Sequence, residues 1–327
     1  MSTIEPKQDQ LAAAAALAQA IQNEAIDAKL RLNEAMAGHT SFQIGGPADL
    51  WVQPRSVLAL RQVLELAERY RIPAQILGGG ANLLVADSGI RGLVLCTAGL
   101  SRHIMFETDT TLYAGAGMPA DRLCSLAAGL SLSGLEFISA LPGSVGGAVF
   151  MNARCYEREI ADAAVTIDYL DVSKHCCDNL QVAPAEWAYK RTPFMPGGRL
   201  AGAVVLGARF QMSKADPAEI RRRMQELRAD RVAKGHFDFP SAGSMFKNNR
   251  DFGRPSGAIL DELGFRGRRV GDAMVSPKHA NIFVNAGQAT AADMLQLVQE
   301  ARRAARECFG FDLEIEVQLM GDIDLAD

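Results

Sequence analysis

The sequence predicts an α+β fold that is divided into more than one domain. From Ser41 onward, short apolar runs alternate with glycine-rich turns, which is typical of a series of short strands. Stretches with helical spacing of their apolar residues separate some of these runs, so strands and helices are mixed along the chain. At 327 residues, the chain is also longer than one ordinary hydrophobic core requires.

The composition favours a globular protein outside the nucleic-acid-binding and membrane-spanning classes. The net charge is -4 and the sequence pI is near 5.8, which argues against a nucleic-acid partner. No apolar run reaches the roughly 18 residues that a membrane helix needs, and the run Ala12–Ala18 lacks a basic leader. The six cysteines form no CxxC pair, so we expect free thiols, no metal site and a cytoplasmic location.

The predicted elements divide the chain into an N-terminal extension and two domains. Residues 1–34 are rich in good helix formers and predict a solvated helical extension without a catalytic part. The polar stretch Ser213–Pro217 predicts the boundary between a domain over 35–213 and a smaller one over 214–327. The predicted strands are 48–52, 74–77, 83–85, 92–95, 165–172, 203–212, 280–284 and 313–320, and the predicted helices are 56–70, 120–129, 218–232 and 291–309.

Three glycine-rich segments, 77–85, 114–117 and 140–148, stand at the ends of predicted strands. Consecutive glycines such as Gly78–Gly80 allow positive φ angles and let backbone N–H groups converge on an anion. A pyrophosphate-binding turn and a plain tight turn between strands fit the first segment equally well. Three such segments together favour a long, phosphate-bearing cofactor laid across a sheet.

Three strings, Ser41–Ala48, Gly78–Val85 and Leu141–Asn152, resemble the flavin domain of the UDP-N-acetylenolpyruvoylglucosamine reductases, also called UDP-N-acetylmuramate dehydrogenases. The resemblance continues to the C-terminus and leaves out the first 34 residues. It implies a vanillyl-alcohol-oxidase-like FAD-binding domain of two α+β subdomains, followed by a smaller α+β substrate-binding domain. No long insertion lies between Phe194 and Ser241, which is typical of the shorter subtype without a lid tyrosine.

The resemblance implies an NADPH-dependent flavoprotein that reduces the enolpyruvyl ether of a UDP-amino sugar to UDP-N-acetylmuramate for peptidoglycan synthesis. A cofactor is required because no protein side chain donates hydride. The alternatives are a related flavin oxidoreductase with another substrate and a non-catalytic flavin-binding protein, and a monomer is favoured. The residues implied for FAD binding are Gly78, Gly79, Gly80, Ala81, Asn82, Leu83, Gly115, Leu141, Pro142, Gly143, Ser144, Gly146, Gly147, Asn152 and Tyr156.

Two polar residues near the C-terminus are the first catalytic candidates. Ser244 lies in segment 241–248, which by itself is typical of a polar turn, but it matches the proton-donating serine of the family motif GS-x-FKN. Glu314, Glu316 and Gln318 alternate along a predicted strand, which by itself is typical of a solvated face. The family motif LE-x-EV matches its catalytic glutamate to Glu316, and Glu314 could complete a two-carboxylate region with raised pKa values.

The cation expected over the substrate carboxylate falls where the sequence departs from the family. Lys190 stands in the place of the family arginine, and a lysine supplies charge without a bidentate fork. Lys190 is favoured as the catalytic cation, and the following Arg191 is the alternative. Arg154, which replaces a family glycine, is a hypothetical second cation near the site.

The other implied contacts are with the substrate. Lys247 and Asn248 can bind carboxylate or diphosphate oxygens, and Arg231 together with Lys234 fits a diphosphate. The residues implied for substrate binding are Tyr189, Arg191, Lys234, Gly243, Lys247, Asn248 and His279.

Overall fold

The computed structural model describes residues 5–100 and 104–324, with side chains from residue 10 onward. Residues 1–4 of the predicted N-terminal extension lie outside the described residues. The chain forms two compact units that interleave along the sequence. The first unit comprises the residues up to Leu32, then Asp49–Gly79 and Gly92–Arg228, and the second comprises Asn33–Ala48, Gly80–Arg91 and the residues from Ala229 onward.

The first unit is built around two larger sheets. The first has the strand order Ala28–Ala35, Pro47–Pro54, Ile90–Cys96 and Ala74–Leu77, of which the last two are parallel. The second is antiparallel, with the order Cys176–Gln181, Ala164–Asp171, Val204–Gln211, Thr111–Gly115 and Ile104–Phe106. Two short ladders pair Leu132–Ser133 with Ser213–Lys214 and Arg154–Cys155 with Arg158–Glu159.

Helices flank these sheets and begin where local chemistry favours it. The helices wholly or partly in the first unit are α1 (Glu5–Asn23), α2 (Val57–Arg69), α3 (Ala120–Gly129), α4 (Val145–Phe150) and α5 (Pro217–Ala233). Ser56 begins α2 as an N-cap, because its Oγ accepts the N–H of Ala59 at 3.1 Å. The predicted helices 56–70, 120–129 and 218–232 are found within one residue of their predicted ends.

The N-terminal helix belongs to the core of the first unit. Leu17 and Ile21 of α1 are fully buried and lie in one hydrophobic cluster with Leu60 and Val63 of α2. The expectation of a solvated helical extension is therefore wrong, and Ala28–Ala35 is a strand rather than a helix. The buried face is hard to recognise because α1 is rich in alanine, which suits buried and exposed helix surfaces alike.

The second unit contains an antiparallel sheet with the order Ser241–Ser244, Ile282–Asn285, Ala273–Val275 and Arg269–Val270. Gln318–Met320 pairs in parallel with Leu83–Val85. Helices α6 (Ser256–Glu262) and α7 (Ala291–Phe309) complete this unit. Thr290 and Asp293 begin α7 with a capping box, and Gly310 ends it at a φ of 69°.

The predicted strand over 313–320 is shorter in the structure. Only Gln318–Met320 is a strand, and Ile315 forms a single bridge with Phe246. Short 3₁₀ turns occur at Met36–His39, Thr97–Gly99, Glu136–Ile138, Ile160–Asp162, Pro184–Glu186 and Arg250–Phe252.

Candidate active site

Two glycine-rich loops of the first unit are in direct backbone contact. A Cβ atom added to Gly79 would lie 2.5 Å from the Cα of Gly143, and one added to Gly78 would lie 3.2 Å from the Oγ of Ser144. Real Cβ atoms do not come as close to a backbone atom as 2.5 Å, so this packing requires glycine at position 79. The loop after the strand Ala74–Leu77 is therefore packed against the loop before α4.

The third glycine-rich segment joins the same place. The N–H of Gly146 donates to the carbonyl of Ala116 at 3.0 Å, while Ser144 caps α4 by accepting the N–H of Gly147 at 3.3 Å. Gly115 itself lies within the five-stranded sheet. The structure thus brings together parts of all three segments that the sequence analysis singled out.

The first glycine-rich loop leaves donors for an anion. Within the described part of the chain, the backbone N–H groups of Gly79, Gly80 and Ala81 donate to no other group. Adjacent N–H groups at a glycine turn form a cradle that suits phosphate oxygens. The residues present therefore fit the pyrophosphate of FAD.

Asn152 and Tyr156 are engaged with the protein backbone. Asn152 is fully buried, its Nδ2 donates to the carbonyl of Ala188 at 3.1 Å, and its Oδ1 accepts the N–H of Ala161 at 3.1 Å. The hydroxyl of Tyr156 donates to the carbonyl of Leu227 at 2.9 Å. Both residues therefore fix the path of the chain that follows α4.

Ser244 and Glu316 lie on two segments that pair in the second unit. The N–H of Glu316 donates to the carbonyl of Met245 at 2.8 Å, and the N–H of Lys247 donates to the carbonyl of Glu314 at 2.8 Å. The residue that follows Ser244 is therefore bonded directly to Glu316. The sequence separates the two candidates widely, and the fold brings their segments together.

The two side chains have different surroundings. Ser244 is half-buried, and its hydroxyl forms no hydrogen bond with any residue that the structure describes. The preceding Gly243 has a φ of 80°, and a Cβ added there would meet nothing within 4 Å. Glu316 is only 9% exposed. The Ser244 hydroxyl is therefore available to a ligand, since no described residue engages it.

Asn281 holds the segment after Ser244 in place, a role that the sequence analysis did not assign. Its Oδ1 accepts the N–H of Phe246 at 3.0 Å, its Nδ2 donates to the carbonyl of Phe246 at 2.9 Å, and its carbonyl accepts the N–H of Met245 at 2.8 Å. The sequence signal is a polar residue two positions after His279, near the start of a predicted strand. Its backbone partners, Phe246 and Met245, lie 35 and 36 residues away along the chain.

Two ranges of the chain match models of known protein families. Residues 235–320 match the family model described as the UDP-N-acetylenolpyruvoylglucosamine reductase C-terminal domain, and residues 48–174 match that of an FAD binding domain. The UDP-N-acetylenolpyruvoylglucosamine reductase of Treponema pallidum (strain Nichols) is 40% identical, over 89% of this chain and 94% of that protein. The chain belongs to the UDP-N-acetylenolpyruvoylglucosamine reductase family.

Two further relatives of the family agree with this assignment. The reductase of Treponema denticola is 39% identical, over 86% of this chain and 91% of that protein. The crystal structure of the reductase from Thermus caldophilus has a TM-score of 0.73 and 32% identity, and covers 90% of this chain and 99% of its own. The expected fold class, an α+β protein with a vanillyl-alcohol-oxidase-like FAD-binding domain, is confirmed.

Membership of the reductase family confirms that the chain is an enzyme, a flavoprotein oxidoreductase that uses FAD and NADPH and acts on a small molecule. No helix in the described ranges is long and apolar enough to cross a membrane. The two matched ranges contain the glycine-rich loops and the segments of Ser244 and Glu316. Lys190 and Arg191 lie between those ranges, in a part of the chain that neither family model matches.

The two candidate cations, Lys190 and Arg191, have different surroundings. The Nζ of Lys190 lies 5.8 Å from the ring centroid of Tyr189, and the Cζ of Arg154 lies 5.8 Å from the same centroid. Arg191 is exposed and pairs through its backbone with Ala188. Lys190 is therefore grouped with Arg154 and Tyr189 in the first unit.

Glu314 and Glu316 differ in surroundings, which does not support the expected two-carboxylate region. The Glu314 side chain is 71% exposed and forms an ion pair with Lys247, whereas Glu316 is buried. Glu314 therefore interacts with a cation and not with a second carboxylate, because Lys247 lies on the paired segment and supplies its counter-charge. The Oδ1 of Asn248 instead accepts the N–H of Ser256, the first residue of α6, at 3.0 Å.

His279 lies in a group of basic residues of the second unit. Its ring centroid is 6.2 Å from that of His236. Burial, followed by the charges of Lys234 and Arg266, lowers the pKa of His279. Burial, followed by the charge of Arg231, lowers the pKa of His236 to about 4. Both rings are therefore mainly neutral at pH 7, and the Nδ1 of His279 accepts the N–H of Asn281 at 3.2 Å.

Proposed function

We propose that this chain reduces the enolpyruvyl ether of UDP-N-acetylglucosamine to UDP-N-acetylmuramate, with NADPH as the source of electrons, in peptidoglycan precursor synthesis. The observation that carries the proposal is the pairing of the Ser244 segment with Glu316, whose N–H binds the carbonyl of Met245 at 2.8 Å. The reductases of the two treponemes are named for this substrate and support the proposal.

The proposed FAD site uses the glycine-rich loops. Reduced FAD, when bound, supplies the hydride that is added to C3 of the enolpyruvyl group. The N–H groups of Gly79, Gly80 and Ala81 are proposed to hold the pyrophosphate, because they are adjacent and have no partner among the described residues. Asn152 and Tyr156 are proposed to shape the cradle through their bonds to backbone carbonyls.

Ser244 is the proposed proton donor. Addition of hydride at C3 leaves negative charge on C2 and on the attached carboxylate, so a proton must be delivered to C2. The hydroxyl of Ser244 suits this role because it is half-buried and has no hydrogen-bond partner among the described residues. The serine oxygen then regains a proton from solvent. Glu316, which is buried on the neighbouring segment, is proposed to position and polarise the reacting group.

Lys190 is the proposed cation for the substrate carboxylate. Negative charge builds up on that carboxylate as C2 becomes anionic, and a fixed cation stabilises it. Lys190 is half-buried beside Tyr189, whereas Arg191 is exposed. A half-buried cation acts more strongly because fewer water molecules screen it.

The other basic residues are proposed to bind the UDP part of the substrate. Lys234 donates to Asp230 at 2.7 Å, and Lys247 is paired with Glu314. Each of these lysines would exchange its carboxylate partner for substrate oxygens. Asn248, His279, Tyr189 and Gly243 are proposed as further substrate contacts.

We also propose that the enzyme works in the cytoplasm and as a monomer. A UDP-activated sugar and NADPH are both cytoplasmic metabolites.

Stopped-flow absorbance tests the proposed reaction. The purified, yellow protein is mixed first with NADPH and then with the enolpyruvyl UDP-sugar. We expect NADPH to bleach the flavin and the sugar nucleotide to restore its absorbance, with one product formed per flavin. Bleaching by NADPH without recovery would refute the proposed substrate.

A further inference from the structure

Two cation-bearing turns of the first unit converge on one aromatic ring. Arg154 lies in a hairpin over 154–159, and Lys190 lies in the turn that follows Ala188. Their charged groups are each 5.8 Å from the ring centroid of Tyr189, within the range in which a cation is attracted to an aromatic ring. Since both distances end at the same centroid, the two charges can be no further apart than twice that value.

A buried amide holds the two turns together. Asn152 precedes Arg154 by two residues, and its Nδ2 donates at 3.1 Å to the carbonyl of Ala188, the residue before Tyr189. Asn152 is fully buried, so water does not compete for this bond. The position of Arg154 relative to Tyr189 is therefore set by the fold.

Both turns contain non-glycine residues with left-handed backbone angles. Lys190 has a φ of 53°, and the two residues at the tip of the hairpin, Tyr156 and Glu157, have φ angles of 53° and 67°. Such angles are unfavourable for residues with a side chain, and they persist where the surrounding structure imposes them. Strained turns are concentrated at ligand-binding sites. Here one strained turn contains Lys190, and the other belongs to the hairpin that contains Arg154.

The charge of Arg154 is not neutralised by any side chain that the structure describes. No carboxylate of residues 10–100 or 104–324 lies within ion-pair distance of it. A second cation, Lys190, approaches the same ring. An anion bound beside Tyr189 would supply a counter-charge to Arg154.

We propose that Arg154 and Lys190 together bind the carboxylate of the enolpyruvyl substrate, with Arg154 as a further specificity-determining residue. The proposal rests on the proposed function, which supplies a substrate with a carboxylate. A guanidinium provides the planar fork that a lysine lacks, and Lys190 provides a second, flexible charge. Both cations lie near the Tyr189 ring, at 5.8 Å from its centroid.

Substitution of Arg154 tests the proposal. We expect R154A to raise the KM for the enolpyruvyl substrate about tenfold or more and to weaken its binding to oxidised enzyme, followed by flavin absorbance, by a similar factor. The flavin content and the rate of flavin reduction by NADPH should stay near wild type. R154K should recover most of the binding, because the charge is retained. R158A, on the same hairpin with its guanidinium 5.4 Å from the Phe137 ring, is the matched control and should bind normally.

A double substitution adds a second readout. If a fork at either position is sufficient, K190R in the R154A background should restore substrate binding toward the wild-type value. Normal binding by R154A would overturn the proposal. Loss of flavin content in R154A, with no recovery in R154K, would also overturn it, because it would show a purely structural role.

Failure of this proposal can be told apart from failure of the proposed function. If wild-type enzyme reduced by NADPH is not reoxidised by the enolpyruvyl nucleotide, the proposed function is wrong. If the wild type turns over normally and R154A matches it, only the role of Arg154 is wrong.

Discussion

The side-chain amide of Asn82 donates to the backbone carbonyl of Glu316 at 3.2 Å, and so joins residues that are 234 positions apart. The backbone of Asn82 is bound as well, because its carbonyl accepts the N–H of Gln318 at 3.0 Å. The family resemblance implies that Asn82 binds FAD. In the structure its amide also sets the position of the proposed catalytic glutamate.

Loss of this amide should affect the two half-reactions unequally. We expect N82A to lower the free energy of unfolding by about 1 kcal/mol, because one hydrogen bond is removed. Reoxidation of the reduced flavin by substrate should slow more than reduction by NADPH, because Glu316 loses a positioning contact. Urea unfolding and stopped-flow absorbance measure the two effects.

The matched control for this variant is N179A, at an exposed residue of an edge strand. It should leave both half-reactions unchanged. Equal slowing of both half-reactions in N82A would show that Asn82 acts on the cofactor alone.

The core position of α1 leads to a stability prediction. Leu17 is fully buried in the cluster that it shares with α2, whereas Leu11 on the same helix is 43% exposed. We expect L17A to lower the free energy of unfolding by about 3 kcal/mol, because it leaves a cavity. L11A should change it by less than about 0.5 kcal/mol. Similar small effects in the two variants would contradict a buried N-terminal helix.

The low pKa of His236 predicts a loss of stability in acid. Its pKa is about 4 in the folded protein against 6.5 for the free side chain, because of burial and then the charges of Arg231, His279 and Lys234. As the pH falls from 6.5 towards 4, the unfolded chain takes up this proton before the folded one does. The free energy of unfolding therefore falls in that interval, and above it His236 has no effect.

The variant H236Q isolates this contribution. Between pH 7 and pH 4.5 we expect it to lose on the order of 2 kcal/mol less stability than the wild type, after allowance for the partial exposure of the ring. Urea unfolding at the two pH values measures the difference. Equal losses in both proteins would show that His236 is protonated equally in the folded and unfolded states.

The tip of the hairpin over 154–159 stores backbone strain. Glu157 has a φ of 67°, which glycine adopts without cost. We expect E157G to raise the free energy of unfolding by about 1 kcal/mol. R158G, placed in the strand that pairs with Cys155, should lower it by about 0.5–1 kcal/mol. Destabilisation by both glycines would show that the tip is not strained.

Local signals in the sequence account for what could be predicted of the fold. The helix over 291–309 is found with the predicted ends, because its apolar spacing and the capping residues Thr290 and Gly310 act within a few positions. The sequence predicts only a glycine-rich loop where α4 lies, because a helix of six residues is too short to show periodicity. The strand at 313–320 was overestimated because alternation of residue types does not show where a pairing partner is present.

In the candidate site, too, local motifs could be recognised in the sequence and long-range contacts could not. Ser244 and Glu316 were found because each stands in a short motif, and their roles stay predictions. The contacts of Asn281 with Phe246 and of Asn152 with Ala188 join residues 35 and 36 positions apart, and such pairs leave no pattern in one sequence. The grouping of Arg154 with Lys190 around Tyr189 has the same origin, because it depends on how two turns fold together.

The most direct test is to follow the two half-reactions of S244A by stopped-flow absorbance, with S241A as the control. If Ser244 donates the proton to C2, S244A should be reduced by NADPH at the wild-type rate. Its reoxidation by the enolpyruvyl nucleotide should be slower by a factor of about 10² to 10⁴, as expected for loss of a general acid. Slower reduction of the flavin by NADPH, together with normal product formation from pre-reduced enzyme, would contradict the assignment.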